Sequence, residues 1–511
     1  MLGISRKPAN HPDPAAPRVL TQRRDVVVVG GGIAGLSAAT VLAERGARVT
    51  VLEPDATLGG RAGAWTDTLK DGTRFEMERG FHAFFRQYYN LRAWLRRLDP
   101  ELAFLRPVED YPLLGPDGLR ESFAGLPKLP IVNLVSLIRR SSTMTLRDAL
   151  KVDDTCGRAI MAYDPKATYA QFDGLDARTF LDRLGFPPRA RQMLFDVFAH
   201  SFFNPEEDFS AGELLMMFHF YFIGNPEGIV FDVVDGPFST KLWQPFARYL
   251  EARGVTIRTG EAAARIARAP DGRYRVTSSN GQVLVADACV VAPHLAGLQR
   301  LLVDSPDLGP APWRAAIAGQ KLTAPFAVWR LWLDRRCDPS RAPFVGTTGL
   351  GLVDNISLYE LFEDESADWA ARTGGSVVEL HAYAVPPGTD EPTIKADLLR
   401  ALHELYPETR AAAILDDRFL LRQDCPAFPP GSYDARPRVE TPEPGLLLAG
   451  DFVHTPFPTA LMERATSTGI LAANDLLRRW GVAEEPLWSV PPRGPLARVI
   501  HRKFYRDAHA P

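Results

Sequence analysis

The sequence predicts an α/β fold in which a parallel-sheet domain is interrupted by an inserted α+β domain. Three observations carry that prediction. Val26–Val29 is a short β-branched run, broken by Gly30-Gly31-Gly32 and followed by a helical stretch. A second apolar strand, Ala47 to Glu53, comes directly after, completing a βαβ beginning. Far downstream, a third buried strand, Gly445 to Ala449, ends in Gly450-Asp451, and the chain between has a different texture.

The elements follow in order. Residues 1–22 are rich in proline and polar residues and lack the apolar core of a secretory signal, so they read as a disordered leader. Asp25–Val29 reads as a parallel strand buried on both faces. Ile33 to Arg45 reads as a helix ended by Gly46. The whole run Val26 to Ala43 approaches membrane-spanning length. Three glycines in its middle would break a single helix, but they suit a strand, a tight turn and a new helix. No other run reaches spanning length.

Asp271-Gly272 and Asn280-Gly281 are hairpin turn pairs within Gly254 to His294. They predict a small antiparallel ribbon feeding a strand at Ala288–Ala292. A further helix is expected to start near Thr459–Glu463. Residues 106–229 are helical in texture and rich in Phe, Tyr and Met, whereas 311–439 show strands at Phe326 to Leu333 and Ser376 to Val385. The expected division is therefore 23–105, 230–310 and 440–480 for the nucleotide domain, 106–229 and 311–439 for a substrate domain, and 481–511 for a tail.

Composition narrows the function. Lys and Arg total 59 against 62 Asp and Glu, a near-balance that argues against a general nucleic-acid binder. Cys156, Cys289, Cys337 and Cys425 lie far apart with no CxxC, so neither a disulfide scaffold nor a cysteine zinc site is expected. The ten histidines show no HExxH or paired spacing, which argues against a metal site, and no G-x-S-x-G points to a hydrolase.

Gly30-x-Gly32-x-x-Gly35 after a strand and opening a helix is the fingerprint of a Rossmann-like dinucleotide site. Gly30 permits the tight turn, Gly32 the approach of a pyrophosphate, and Gly35 close packing of helix on sheet. The helix N-terminus stabilises the phosphate charge. Glu53 ends the second strand, where a carboxylate accepts from ribose hydroxyls. Leu58-Gly59-Gly60-Arg61 then offers N–H groups and a guanidinium to further phosphate oxygens. Asp451 after the late strand can take ribityl hydroxyls, and a nearby helix N-terminus can face an anionic flavin edge. Two chain ends meeting on one long cofactor suit FAD better than NAD.

These residues carry a resemblance. VVVVGGGIAGLSAATVLAERGARVTVLE, LGGRAGAW and LLLAGDFVHTPFPTALMERATSTGILAAN resemble the FAD signatures of the amine oxidase/carotenoid desaturase superfamily. MERGFHAFFRQYYNLRAWLRRL is similar to a segment of the phytoene and ζ-carotene desaturase branch. With FFNPEEDFSAGELLMMFHFYFIGNPEGIVFDVV, the run looks most like the β-carotene desaturase/methyltransferases, the isorenieratene synthase family.

The resemblance covers about residues 24–480 and implies an amine oxidase/phytoene desaturase-like fold. It implies FAD held by Gly30, Gly32, Ala34, Gly35, Glu53, Gly60, Arg61, Gly450, Asp451 and Met462. It also implies oxidation of β-ionone rings to aromatic φ-rings with a 1,2-methyl shift; an acyclic carotenoid desaturase or another flavoenzyme of the superfamily is the alternative. Arg464 stands where relatives often have glycine.

On the substrate side, aromatic residues crowd Phe81 to Tyr89, Phe195 to Phe231 and Trp329 to Trp332. They can line an apolar tunnel for a polyene and offer ring faces to a carbocation. Each can equally be core. His82, flanked by Phe81, Phe84 and Phe85 and near Glu78, is the candidate proton acceptor, with a core role as the alternative; His200 and His219 read as structural. From Pro486 onward, Arg493, Arg498, Arg502, Lys503 and Arg506 face one acid, Asp507, with Leu496, Ile500 and Phe504 at helical spacing. A basic amphipathic helix of this kind can lie on anionic lipid, and it can equally dock on the protein or form a solvated end. The expectation is a cytoplasmic enzyme, peripheral on the membrane, with a carotenoid substrate and an electron acceptor that the sequence leaves open.

Overall fold

A strand with valine on both faces must be covered on both sides. In the computed structural model, which describes residues 6–129, 132–149 and 151–493, Asp25–Val29 is the middle strand of a five-stranded parallel sheet. Its order is Thr256–Thr259, Arg48–Glu53, Asp25–Val29, Ala288–Val291, Leu446–Leu448. The chain order reverses on either side of Asp25–Val29. The crevice beyond the strand ends at such a switch point is where α/β sheets bind ligands.

Helix Ile33–Glu44 covers one face, and Gly46 beyond its end takes a left-handed φ of 85°. Against it packs the long helix Leu461–Arg479. That contact depends on Gly469, where a Cβ would lie 2.1 Å from the carbonyl oxygen of Ala34. The ribbon forms as Ala263–Arg268, Tyr274–Ser278 and Val283–Ala286, with Gly272 and Gly281 at positive φ in its two turns.

The second large sheet has seven strands, in the order Ile414–Arg422, Phe326–Leu333, Ser376–Ala382, Asn355–Leu358, Phe344–Thr347, Leu113–Leu114, Arg120–Glu121. Phe326–Leu333 is buried along its whole length. The last two strands correct the helical reading of residues 106–229: short helices begin only at Val132, and 113–121 instead extends this sheet. Leu113 and Glu121 are both buried there, so the segment pairs rather than coils.

Both ends of the described chain depart from expectation. Of the leader, Lys7–Pro8 pairs antiparallel with Trp488–Ser489, and Asn10 exchanges hydrogen bonds with Glu485 and Leu487. Proline-rich composition hid this because the partner strand lies at the opposite end of the chain. The first part of the tail is likewise packed: Leu487 and Val490 are buried, and Arg493 pairs with Asp164 at 2.8 Å. The basic residues from Arg498 on, with Leu496, Ile500 and Phe504, lie outside the described residues. Among the described residues no helix is long and apolar enough to cross a membrane.

Candidate functional site

The glycine turn is built by close backbone approaches. Gly30 has φ 104°, and a Cβ there would sit 2.6 Å from the Ala292 oxygen. A Cβ on Gly35 would sit 1.9 Å from the Gly30 oxygen, so the helix rests directly on the turn. Gly32 is different: its nearest neighbours would be Gly59 and Gly60, at 3.8–4.0 Å. It lines a cleft instead of a contact. Gly59 bonds back to the Gly31 carbonyl at 2.9 Å, with Gly59 and Gly60 both at positive φ. The two glycine motifs thus form facing walls.

Into this cleft points the N-terminus of Ile33–Glu44, which no side chain caps and whose first turn, including Ala34 and Gly35, is buried. A buried helix start without a cap calls for an anionic partner. Glu53 sits beside it, accepting from Gly31 N at 2.6 Å and Asp55 N at 2.9 Å. Burial raises its pKa against those two bonds.

The far end of the chain closes the cleft. Asp451 pairs with Arg61 at 2.5 Å, so residues from the first and last motifs meet directly. Gly450 N donates to Thr468 Oγ1 at 2.9 Å, holding the strand end on the last helix. Helix Leu461–Arg479 also starts without a side-chain cap, at Ala460, with half-buried Met462 as its second residue. These features fit a dinucleotide: an open glycine cradle, two uncapped helix starts and a carboxylate at each end.

Two residues beside Met462 do work that the sequence did not reveal. Glu463 accepts from the N–H groups of Asn90 and Leu91, capping the helix Tyr89–Leu95; burial pushes its pKa up to about 8. Arg464 donates to the carbonyls of Thr459 and Asp451 and pairs with Glu213 at 2.6 Å. Arg436 holds the other oxygen of Glu213 at 2.7 Å. Burial would raise Glu213, but the two arginines outweigh it and keep the group at about 2. Arginine in place of glycine therefore locks the Asp451 loop to the helical region.

His82 lies deep in the protein, yet part of its surface is open. Its Nδ1 is 2.6 Å from the Gly80 carbonyl, an acceptor, so Nδ1 carries the proton and Nε2 presents a lone pair. Burial pulls its pKa down to about 4, and Arg61 is among the charges acting on it. Glu78 is buried, and burial drives its pKa well up despite Arg330. His219 is a core histidine, 2.7 Å from the Pro491 carbonyl and stacked on Tyr163.

The first two aromatic crowds come together. Phe85 meets Tyr221 and Phe231 at 4.9 and 5.5 Å, and Phe81 stacks on Phe344 at 4.5 Å. The third does not join as a unit: Trp329 donates to Asp417 while Trp332 packs on Phe75.

With this geometry in place, the comparisons are informative. Residues 33–477 match the model of the flavin containing amine oxidoreductase family. The chain belongs to this family. It is 47% identical over 493 residues to the carotenoid phi-ring synthase of Streptomyces griseus, covering 96% of this chain and 95% of that protein. The 15-cis-phytoene desaturase of Narcissus pseudonarcissus is more distant, 25% identical over 89% of this chain and 79% of its own length. Among solved structures, wild-type putrescine oxidase bound to putrescine matches with a TM-score of 0.65 at 18% identity, covering 90% of this chain and all of that one. That likeness concerns the fold, a Rossmann-like domain with a substrate domain inserted. The family makes the cleft a flavin site, and its dinucleotide shape fits FAD.

Proposed function

We propose that the protein is an FAD-dependent carotenoid oxidoreductase that converts β-ionone rings to aromatic φ-rings, as from β-carotene to isorenieratene. The observation that carries this reading is the near-full-length 47% identity to a carotenoid phi-ring synthase. The aromatic cluster beside His82 supports it.

In this reading Gly32, Gly60 and the first-turn N–H groups of Ala34 and Gly35 hold the pyrophosphate, and Glu53 takes the ribose hydroxyls. Arg61 and Asp451 hold the ribityl side, and Met462 lies at the ring. Bound FAD would supply a two-electron acceptor for one hydride equivalent at a time; a ring gains two C=C bonds, so two such oxidations are needed, with the flavin reoxidised between them by an external electron acceptor. The gem-dimethyl carbon of the ring is quaternary, so aromatisation requires one methyl to migrate to an adjacent cationic carbon. Phe81, Phe231 and Phe344 offer ring faces to that cation and exclude water from it. His82 Nε2 takes the proton released as the double bond forms. A weak base suffices, because a carbocation is a strong acid.

We place the enzyme on the cytoplasmic membrane surface. Leu129, Val132, Val135 and Leu146 are 42–47% exposed and lie close in sequence, with Arg139 and Arg147 exposed among them. Exposed apolar side chains among cations suit anionic lipid. Val132→Asp with Val135→Asp should reduce flotation with anionic vesicles; unchanged flotation rejects this face.

Expression in β-carotene-producing and in phytoene-producing cells tests the activity. Aromatic-ring carotenoids in the first host support it. Coloured linear polyenes in the second, with β-carotene untouched in the first, reject it in favour of an acyclic desaturase.

A further inference from the structure

Making a C=C bond among the aromatic side chains beside His82 leaves a proton that must get out. Removing a hydride equivalent and then a proton from adjacent ring positions forms the double bond; the electron pair of the broken C–H bond becomes the π bond, and the proton stays on the base. The outlet should therefore be a run of polar groups between His82 and solvent.

Two pieces of such a run are present on the substrate side, His381 with the Tyr383 hydroxyl and Asp354 with His200. A Cβ on Gly80 would lie 2.7 Å from the His381 ring, and the Phe81 N–H lies 3.3 Å from His381 Nε2. His381 therefore packs under the Gly80–Phe81 peptide that also orients His82. His381 Nε2 is 2.7 Å from Glu379 Oε1, and Arg330 holds the other oxygen at 2.8 Å. Glu379 and Arg330 are both buried, and Glu379 is among the charges acting on His82. On its other side, His381 Nδ1 is 2.8 Å from the Tyr383 hydroxyl, which accepts from Asn355 Nδ2 at 2.9 Å.

Tyr383 also touches the next group outward. Its backbone N–H donates to Asp354 Oδ2 at 2.5 Å, and Asp354 Oδ1 is 3.0 Å from His200 Nδ1. Asn355 Oδ1 is buried and has no hydrogen-bond partner among the described residues. The side chain of His200 is 42% exposed and lines a surface cavity of about 610 Å³ with Asp196, Glu206, Arg191 and Pro386. Asp354, Asp196 and Glu206 are the acids acting on His200, and Arg191, paired with Asp196 and Glu206, is the facing cation.

We infer that His381, held by Glu379, then Tyr383, Asp354 and His200 form a proton exit, with water joining His82 to His381 and, at Asn355 Oδ1, the Tyr383 hydroxyl to Asp354; His82 is the first acceptor and His200 hands the proton to solvent. This rests on the reading of the protein as an enzyme that oxidises ring C–H bonds. It also revises the sequence expectation that His200 is merely structural: two remote segments give it a carboxylate partner and a solvent face.

The test uses the full-length holoenzyme with β-carotene. His200→Ala should fold and retain flavin, lose about tenfold or more in kcat, show a larger solvent deuterium isotope effect, and regain activity with added imidazole. Tyr383→Phe keeps the ring packing but breaks the path inside, so its loss should not respond to imidazole. His200→Ala with wild-type kcat and isotope effect overturns the exit path while leaving the enzyme assignment intact. A comparable loss that imidazole never restores, with no change in isotope effect, marks a structural role and also overturns it. A wild type that makes no aromatic carotenoid overturns both.

Discussion

The flavin cleft and the substrate-side polar network are built on opposite principles. The cleft is mostly backbone: Gly30, Gly32, Gly35, Gly59 and Gly60 lie within one short stretch of chain and work by lacking side chains. The network is mostly side chain: Arg330, Glu379, His381, Tyr383, Asp354 and His200 come from several segments and work by fixed hydrogen bonds. A site made of missing atoms tolerates almost no addition. A site made of paired polar groups is damaged most by removing one partner.

The largest effect should come from adding atoms on the cleft side. Gly35→Val or Gly469→Val puts a side chain where backbone atoms stand 1.9 or 2.1 Å from Cβ. Each should cost about 3 kcal/mol or more, seen as loss of soluble yellow protein. A normal flavoprotein from either would break the contrast.

Next comes loss of a partner. Arg464→Met leaves Glu213 short of one of its two arginines and should cost about 3–5 kcal/mol in denaturant unfolding. Replacing Arg436, Glu213 and Arg464 together by apolar residues should cost much less, because no charge is then stranded.

Smaller effects are expected at the cleft carboxylates. Glu53→Ala and Asp451→Ala should each weaken flavin retention roughly ten- to hundredfold, a loss of about 1–3 kcal/mol, measured as bound flavin after dialysis. Full occupancy in both would refute the site map.

The last concerns pH, and it vanishes near neutrality. His219 is buried and its pKa is pulled down to about 4. The unfolded chain thus binds a proton that the native state refuses between about pH 6.5 and 4. Stability from this group is present above that window and lost as pH falls through it, by up to about 1.4 kcal/mol per pH unit. Thermal melts of His219→Gln should fall less steeply with acid than those of the wild type.

Much of the cleft was legible because its signals are local. The turn at Gly30, the end of the strand at Glu53 and the strand at Leu446–Leu448 all follow from short runs whose composition admits one conformation. Arg61 and Asp451 were each expected at the cofactor, but their direct pairing is a product of folding. His82 could be singled out by its phenylalanine neighbours. Its tautomer could not, since that depends on the Gly80 carbonyl. The antiparallel pairing of Lys7–Pro8 with Trp488–Ser489 was hidden for a related reason: a two-residue strand has no pattern of its own.

By itself the sequence determined the parallel sheet, the glycine cradle and the class of cofactor, because glycine spacing and β-branched runs act over a few residues and leave the backbone little choice. Only the tertiary structure decided that Arg464 is one arm of a buried triad, that Glu463 caps a helix, that His381 meets the Tyr383 hydroxyl and that His200 meets Asp354. A side chain's partner is chosen by packing between segments hundreds of residues apart, and burial, which sets its charge, exists only once those segments meet.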